Sequence, residues 1–494
     1  MQPGRLAVVD SDALDALTGA QLRDGVAATD ADAIVAPSAG ARVRLRGEIA
    51  DPGVPILGPE GTGDGGAARS HRLGDARVLE AWSDAAVGSI PALLAEGDPG
   101  EPAGAVVISD RLDCSVRPTA LRTVWEGYDA FIRALAEGEH AADACVAGSL
   151  TLCSTALPAE YAAEWDGLRV RGIGREAMAG VPSSGRPEPG IVGVTIGADG
   201  SVATREYDRT SLGLRAVEGV GEHRATTLRA AGIEDRPSLA DADVARLADV
   251  DGLDRSTAAR LVAHARAFED GRVLRQSDAR LPGPEPVFVD LETDGLSPTV
   301  VPLIGVLDRA HGSYRTFAAR DPADPAGAIE AFCSWYAALE GARPIVAYNG
   351  ASFDFPVLGE QIAERVPECR SLWADAWTLD PYESAVGAGN AVLPGRTNRL
   401  EDVAEALGVD GIAASDDTTV LSGASVGRQF RRWHADPDAA PPPAWDAIAA
   451  YCEADVRALA GIYDAIEAAD RVERPEAGTD APPSETTQGR LGEF

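Results

Sequence analysis

An apolar run that delivers two acids and then breaks, Val287-Phe288-Val289-Asp290-Leu291-Glu292-Thr293-Asp294-Gly295-Leu296, constrains this chain more than any other stretch of it. Side chains alternate along a strand, so Asp290 and Glu292 share one face. Two carboxylates buried side by side repel each other unless a cation lies between them, and the pattern therefore asks for a metal. Two more segments supply acids in ordered settings. Ile345-Val346-Ala347-Tyr348-Asn349-Gly350-Ala351-Ser352-Phe353-Asp354-Phe355-Pro356-Val357-Leu358 reads as a strand, a glycine turn and an acid, Asp354, where a helix begins. The segment Ile448 to Leu459 has helical periodicity, which sets Tyr451 and Asp455 on one face at i, i+4. By contrast Glu453, Asp294, Asp375, Asp402, Asp416 and Asp417 read as cap or surface acids.

A chain of 494 residues exceeds what one core supports, so two or three domains are expected. Hydrophobic residues make up 45% of it, yet its apolar runs, such as Val106 to Ile108, fall far short of a membrane span. The N-terminus meets Asp10 after a short apolar stretch, unlike a secretory signal, and a soluble cytoplasmic protein is expected. The six cysteines, Cys114, Cys145, Cys153, Cys333, Cys369 and Cys452, form no Cys-x-x-Cys pair and read as core thiols of a reducing compartment. There are 78 acids against 44 basic residues, all of them arginine, for a net charge of −34. This is the surface expected of a halophilic protein, in which carboxylates hold water and cations. In about 1 M salt the screening length is near 3 Å, so such a charge does not bar contact with a polyphosphate backbone.

The fold class expected is α/β and multidomain. Residues 1–208 alternate short apolar strands (Leu6 to Val9, Ile34 to Ala36, Ala105 to Ser109) with helical stretches such as Ala120 to Glu137, a βα pattern of unassigned function. Asp110 and Asp113 follow one strand where a phosphoesterase would place ligands, but the histidines such a site needs are missing, so they read as turn and cap residues. Met178 to Gly190 reads as a linker, and Ile191 to Tyr207 as a hairpin turned at Asp199-Gly200 that closes this region. A small all-α module is expected over 212–275, a second linker over Ser277 to Pro286, an α/β domain over 284–470, and a disordered tail over 471–494.

Within the helical module, Val217-Glu218-Gly219-Val220-Gly221 and Val250-Asp251-Gly252-Leu253-Asp254 each precede a helix, the first running through Ala230 and the second through Phe268. The pair resembles the tandem helix-hairpin-helix family. In the first copy Gly219, Val220 and Gly221 would present bare N–H groups at a helix N-terminus, a geometry that grips a phosphate without reading bases. The second copy departs from the pattern, because Asp254 puts a carboxylate where the phosphate would sit. From Leu212 to Arg275 ten arginines face eleven acids, so this module is near neutral in a strongly acidic chain and suits a nucleic-acid contact.

The order Asp-x-Glu on a strand, Asn with Phe-Asp, then Tyr-x-x-x-Asp on a helix resembles the DEDD exonucleases of the tyrosine subtype, over about Glu285 to Asp470, and is most similar to the stand-alone RNase H-like branch. Asn398-Arg399-Leu400-Glu401-Asp402-Val403 resembles that branch's helix before its third motif. The resemblance implies an RNase H-like mixed sheet flanked by helices and a two-metal 3′-5′ exonuclease using Mg²⁺ or Mn²⁺. It implies Asp290, Glu292 and Asp455 on the first ion, Asp290 bridging to a second that Asp354 supports, and Tyr451 orienting the attacking water. Asn349 and Phe353 would line the substrate groove, by a hydrogen bond and by stacking. The expected partner is single-stranded or 3′-ended DNA or RNA, since none of the carboxylates distinguishes the two. A non-catalytic nucleic-acid scaffold, or a phosphoesterase-like N-terminal enzyme with an accessory nuclease-like domain, would use the same residues differently.

Overall fold

The computed structural model describes residues 2–49, 54–60, 66–95, 104–117, 122–137, 150–165, 168–175, 189–281, 285–341, 343–409 and 423–471. Most of the Met178 to Gly190 linker, part of the second linker, Cys145, Asp416 and Asp417 lie outside these residues, as does the 471–494 tail apart from Arg471.

The N-terminal α/β region is built from two sheets. One has the order Val202–Asp208, Gly190–Ile196, Gly4–Val8, Ala33–Val35 and Ile56–Leu57. The other runs Ala162–Trp165, Leu168–Gly174, Leu150–Pro158, Ala105–Ser109, Ala76–Glu80 and Arg69–Leu73. Strand alternation separates their faces. Leu6 and Val8 pack with Val106, Ile108 and Val194 in a core shared by the two sheets. Ala7 and Ile34 turn the other way, onto Leu14, Leu22 and Leu45 of the covering helices. Val107 and Leu152 turn onto Ile90 and Phe131 on the far side, giving four layers, helix, sheet, sheet and helix. The hairpin at Asp199-Gly200 forms as expected, with Gly200 at φ +79°, and its first strand pairs antiparallel to Gly4–Val8.

The helix expected over Ala120 to Glu137 is shorter. Arg122–Glu126 is a strand paired with Asp113–Arg117, and the helix starts at Tyr128, after Gly127 at φ +85°. The β-favouring Thr123-Val124-Trp125 outweighs the alanines around it.

The central module packs helices Glu222–Ala230, Arg236–Ala240, Val244–Ala248 and Arg255–Asp270 around one core that takes Val217 and Val220 from the first hairpin and Leu253 from the second. Gly219 and Gly252 occupy matching turn positions at φ +83° and +77°, a conformation open to glycine at little cost.

The C-terminal domain is a five-stranded mixed sheet in the order Ser313–Ala318, Leu303–Asp308, Val287–Glu292, Ile345–Val346 and Thr378–Leu379. The first three pair antiparallel with one another, and the last two join in parallel. Val287, Val289 and Leu291 face a core with the helices Gly327–Ala337 and Asp354–Arg365. Phe288 faces the opposite core, under the long helix Trp445–Ala468. The period of two therefore sends Asp290 and Glu292 toward that helix, on the same side as Phe288.

Side-chain ion pairs join the three parts. Asp24, in the N-terminal helix Gly19–Ala28, accepts hydrogen bonds from Arg236 of the central module (3.0 and 3.2 Å), from Arg396 of the C-terminal domain (2.6 and 3.1 Å) and from the Gly213 N–H (2.8 Å). Arg205 reaches Asp402 and Glu405, which explains Asp402 as a structural acid.

Candidate metal and nucleic-acid site

The site is assembled at the C-terminal end of the strand Val287–Glu292. Glu292 is 4% exposed, and its Oε1 is buried without a hydrogen-bond partner. Burial raises its pKa well above the usual carboxylate range, and the charges of Asp290, Asp455 and Asp354 raise it further. Asp290 is pushed up to about 7, first by burial and then by Asp354. Asp354, the first residue of the helix Asp354–Arg365, is pushed up to about 7 by burial, against backbone N–H groups of Asp354 and Leu291 that favour its charge. Asp455, on the helix Trp445–Ala468, rises to about 8 through burial and the charges of Asp290 and Glu401, while a hydrogen bond from Tyr451 opposes the shift. Four acids from three separated segments thus act on one another through a low-dielectric space. Such an arrangement holds protons or a cation, because four free charges there are mutually destabilising.

Among the described residues, the ligand atoms that come close enough to share one ion are those of Asp290, Glu292 and Cys452, all within 4.8 Å of one another. The donor set fits a divalent cation, and the orphaned Glu292 Oε1 is the atom that most needs one. Asp110 and Asp113 belong to no such group among the described residues.

Two residues outside the expected set shape this centre. Glu401, exposed in the first turn of the helix Leu400–Ala406, acts by its charge on Asp290, Asp455 and Tyr451. Asp380 is buried and accepts from the N–H groups of Asn349 (3.0 Å), Ala351 (3.1 Å), Tyr382 (3.0 Å) and Glu383 (3.2 Å). It thereby fixes the turn in which Asn349 sits at φ +55° and which leads into Asp354. Helical spacing after Asn398 is the one signal that could have pointed to Glu401. Asp375, by comparison, is the exposed C-cap of the short helix Arg370–Ala374. Asn349 is exposed and Phe353 half-buried at the helix start, on the segment that carries Asp354.

The sheet order, the crossing helix and the acid cluster correspond to a match of residues 287–467 to the RNase H superfamily. The C-terminal domain is RNase H-like. Residues 211–267 match the SAM-like helix-hairpin-helix tandem. No curated protein matches the chain. Solved structures similar to parts of it include Escherichia coli exonuclease I in complex with a dT13 oligonucleotide, at 16% identity over 32% of this chain and 41% of that one, with a TM-score of 0.21. Others are GAP50, the anchor in the inner membrane complex of Plasmodium (13% identity, 42% of this chain, 85% of that one, TM-score 0.26), and a predicted phosphoesterase of Streptococcus pneumoniae TIGR4 (11%, 42%, 98%, 0.20). The chain spans about two-fifths of the exonuclease I that it matches.

The two hairpins of the helix-hairpin-helix module end differently. Asp254 caps the helix Arg255–Asp270, accepting from Thr257 N–H at 2.6 Å, so its own carboxylate occupies the anion position. Gly221 caps the helix Glu222–Ala230 with no side-chain bond, which leaves that N-terminus open. It lines a cavity of about 430 Å³ together with Gly219, Arg215 and His264 of the module and Arg396 and Asn398 of the RNase H-like domain. Asn398 lies two residues before the helix that carries Glu401, and its carbonyl accepts from Tyr348 Oη at 2.8 Å. No helix among the described residues is long and apolar enough to cross a membrane.

Proposed function

We propose that this protein is a metal-dependent nuclease of the tyrosine DEDD type, which hydrolyses phosphodiester bonds of DNA or RNA from a 3′ end. The observation that carries the reading is the Glu292 Oε1 atom, buried without a partner among acids whose pKa values are all raised. Bound Mg²⁺ or Mn²⁺, as a pair, would supply an activated water and a stabilised leaving oxygen. Asp290, Glu292, Asp354 and Asp455 would hold these ions, with Asp290 shared between them. Tyr451 donates to Asp455 and stays protonated because burial raises its pKa, so its hydroxyl can orient a water without taking its proton. Asn349 and Phe353 would receive the terminal nucleotide.

The open N-terminus at Gly221 gives the strand a second hold. A backbone phosphate there would lie beside Asn398, on the path that leads along the following helix to Glu401 and the acids. Nothing in that contact reads base identity, which suits an enzyme that must advance along any sequence.

The experiment is a digestion series on 5′-labelled DNA and RNA oligonucleotides, with free and blocked 3′ ends, at low and at molar salt. Shortening from the 3′ end that needs Mg²⁺ or Mn²⁺, stops at the block and is lost in Asp290→Ala and Asp354→Ala is expected. Binding that survives chelation with no product in any condition would replace the nuclease by a non-catalytic scaffold.

A further inference from the structure

We propose that Cys452 gives this centre a second, thiophilic mode of cation binding, in which its Sγ joins the carboxylates of Asp290 and Glu292 to hold one Zn²⁺ or Cd²⁺ ion. The inference rests on the reading of these acids as a metal centre and departs from it in the donor set and in the ion selected. Cys452 Sγ lies 3.2 Å from Asp290 Oδ2, and ligand atoms of the three residues fit within 4.8 Å. The second observation is independent of the thiol: Glu292 is 96% buried and its Oε1 has no hydrogen-bond partner, so one residue of the same three carries a buried oxygen with nothing to satisfy it.

The backbone makes room for the sulfur. Gly305 pairs with Asp290 across the sheet, and a Cβ at that position would strike Cys452 Sγ and the Tyr314 hydroxyl. Cys452 is fully buried on the core face of the helix Trp445–Ala468, so strand and helix fix the three donors before any ion arrives.

Sulfur ligands select soft or borderline cations, whereas Mg²⁺ takes oxygens in near-octahedral array. One thiolate and two carboxylates, with a fourth position left for water, make a tetrahedral set suited to Zn²⁺. Coordination replaces the S–H proton, which leaves to solvent, and the thiolate becomes the ligand. An ion bound in this way takes up Asp290 and so competes with the ions used for hydrolysis. The centre would therefore be inhibited by thiophilic cations at concentrations that leave its oxygen-only counterpart untouched.

The test is titration of Cd²⁺ into the full chain, followed by the ultraviolet thiolate-to-cadmium absorption, in the wild type, Cys452→Ser and Glu292→Gln. The other cysteines are present in all three proteins, so the difference between spectra isolates Cys452. The wild type should show an extra increment that saturates at one equivalent. Cys452→Ser should lack it, and its ratio of Cd²⁺ to Mn²⁺ affinity should fall by at least roughly tenfold. Glu292→Gln should lose the increment although its thiol is intact. Equal spectra in wild type and Cys452→Ser, or a full increment that survives Glu292→Gln, overturn the proposal. A wild type that shows the increment but never cleaves with Mg²⁺ overturns the nuclease reading alone, and one that cleaves but shows no increment overturns this inference alone.

Discussion

The carboxyl groups of Asp290, Glu292, Asp354 and Asp455 all bind protons more readily in the folded chain than in the unfolded one. Their ordinary values lie near 4, whereas Asp290 and Asp354 stand at about 7 and Asp455 at about 8. For groups raised in this way the stabilisation is complete below the unfolded value and is lost as pH rises through the folded one. The chelated protein should therefore unfold at progressively lower temperature as pH goes from about 5 to about 8.5, and added Mn²⁺ should cancel most of that slope. Asp290→Asn removes one charge from the cluster, so its chelated form should show a shallower slope in the same thermal scans. A wild-type midpoint that does not respond to pH would mean that the acids are not buried together. The acids on the apolar strand were legible because period-two alternation is local. Glu401, Asp380 and Cys452 were not, because each matters through a neighbour more than 30 residues away in the chain, and an acid beside a helix start has the same pattern whether or not it points at a site.

Among elements, the two hairpins show how one residue changes what a shared backbone offers. The glycines at 219 and 252 were readable as turn formers, and both adopt positive φ. The contrast between an open Gly221 and a capping Asp254 also follows from sequence, since aspartate at an N-cap satisfies the amides that an anion would otherwise meet. Gly221→Asp is the sharp test. Gly221 has φ −77°, and a Cβ there would meet nothing within 4 Å, so the change is sterically free. It should alter stability by only a few tenths of a kcal/mol while weakening oligonucleotide binding, measured by fluorescence anisotropy, by roughly tenfold. Unchanged affinity would remove the first hairpin from the strand's path. The strand Arg122–Glu126 was missed because the alanines of the following helix, Ala130, Ala134 and Ala136, pull the average toward helix, while β-branched residues and pairing with Asp113–Arg117 decide the outcome.

Across the whole molecule, three domains converge on Asp24, an acid with nothing to mark it in the sequence. Burial opposes its charge, but Arg396 and Arg236 hold its pKa down at about 2. A depressed carboxylate stabilises above its unfolded value and loses that contribution as pH falls, here between about 4 and 2. Asp24→Ala takes the carboxylate partner from Arg396 and leaves the buried Arg236 with Glu269 alone, and should lower stability by on the order of 3 kcal/mol in denaturant unfolding. It should also split the transition, because the helix-hairpin-helix module and the RNase H-like domain lose their common anchor on the N-terminal region. A single transition at the wild-type midpoint would show that the remaining contacts suffice. The four-layer N-terminal architecture was only partly legible, since its βα pattern is local but the pairing of two sheets across one core depends on contacts between distant strands.

The claim beneath all of this is that acids from three segments together bind divalent cations. Calorimetric titration of Mn²⁺ into the chelated full chain at pH about 7.5 measures it directly. Saturable binding of two ions, lost or reduced to one in Asp290→Asn, is the result predicted; no saturable heat, or the same isotherm in wild type and Asp290→Asn, would contradict it.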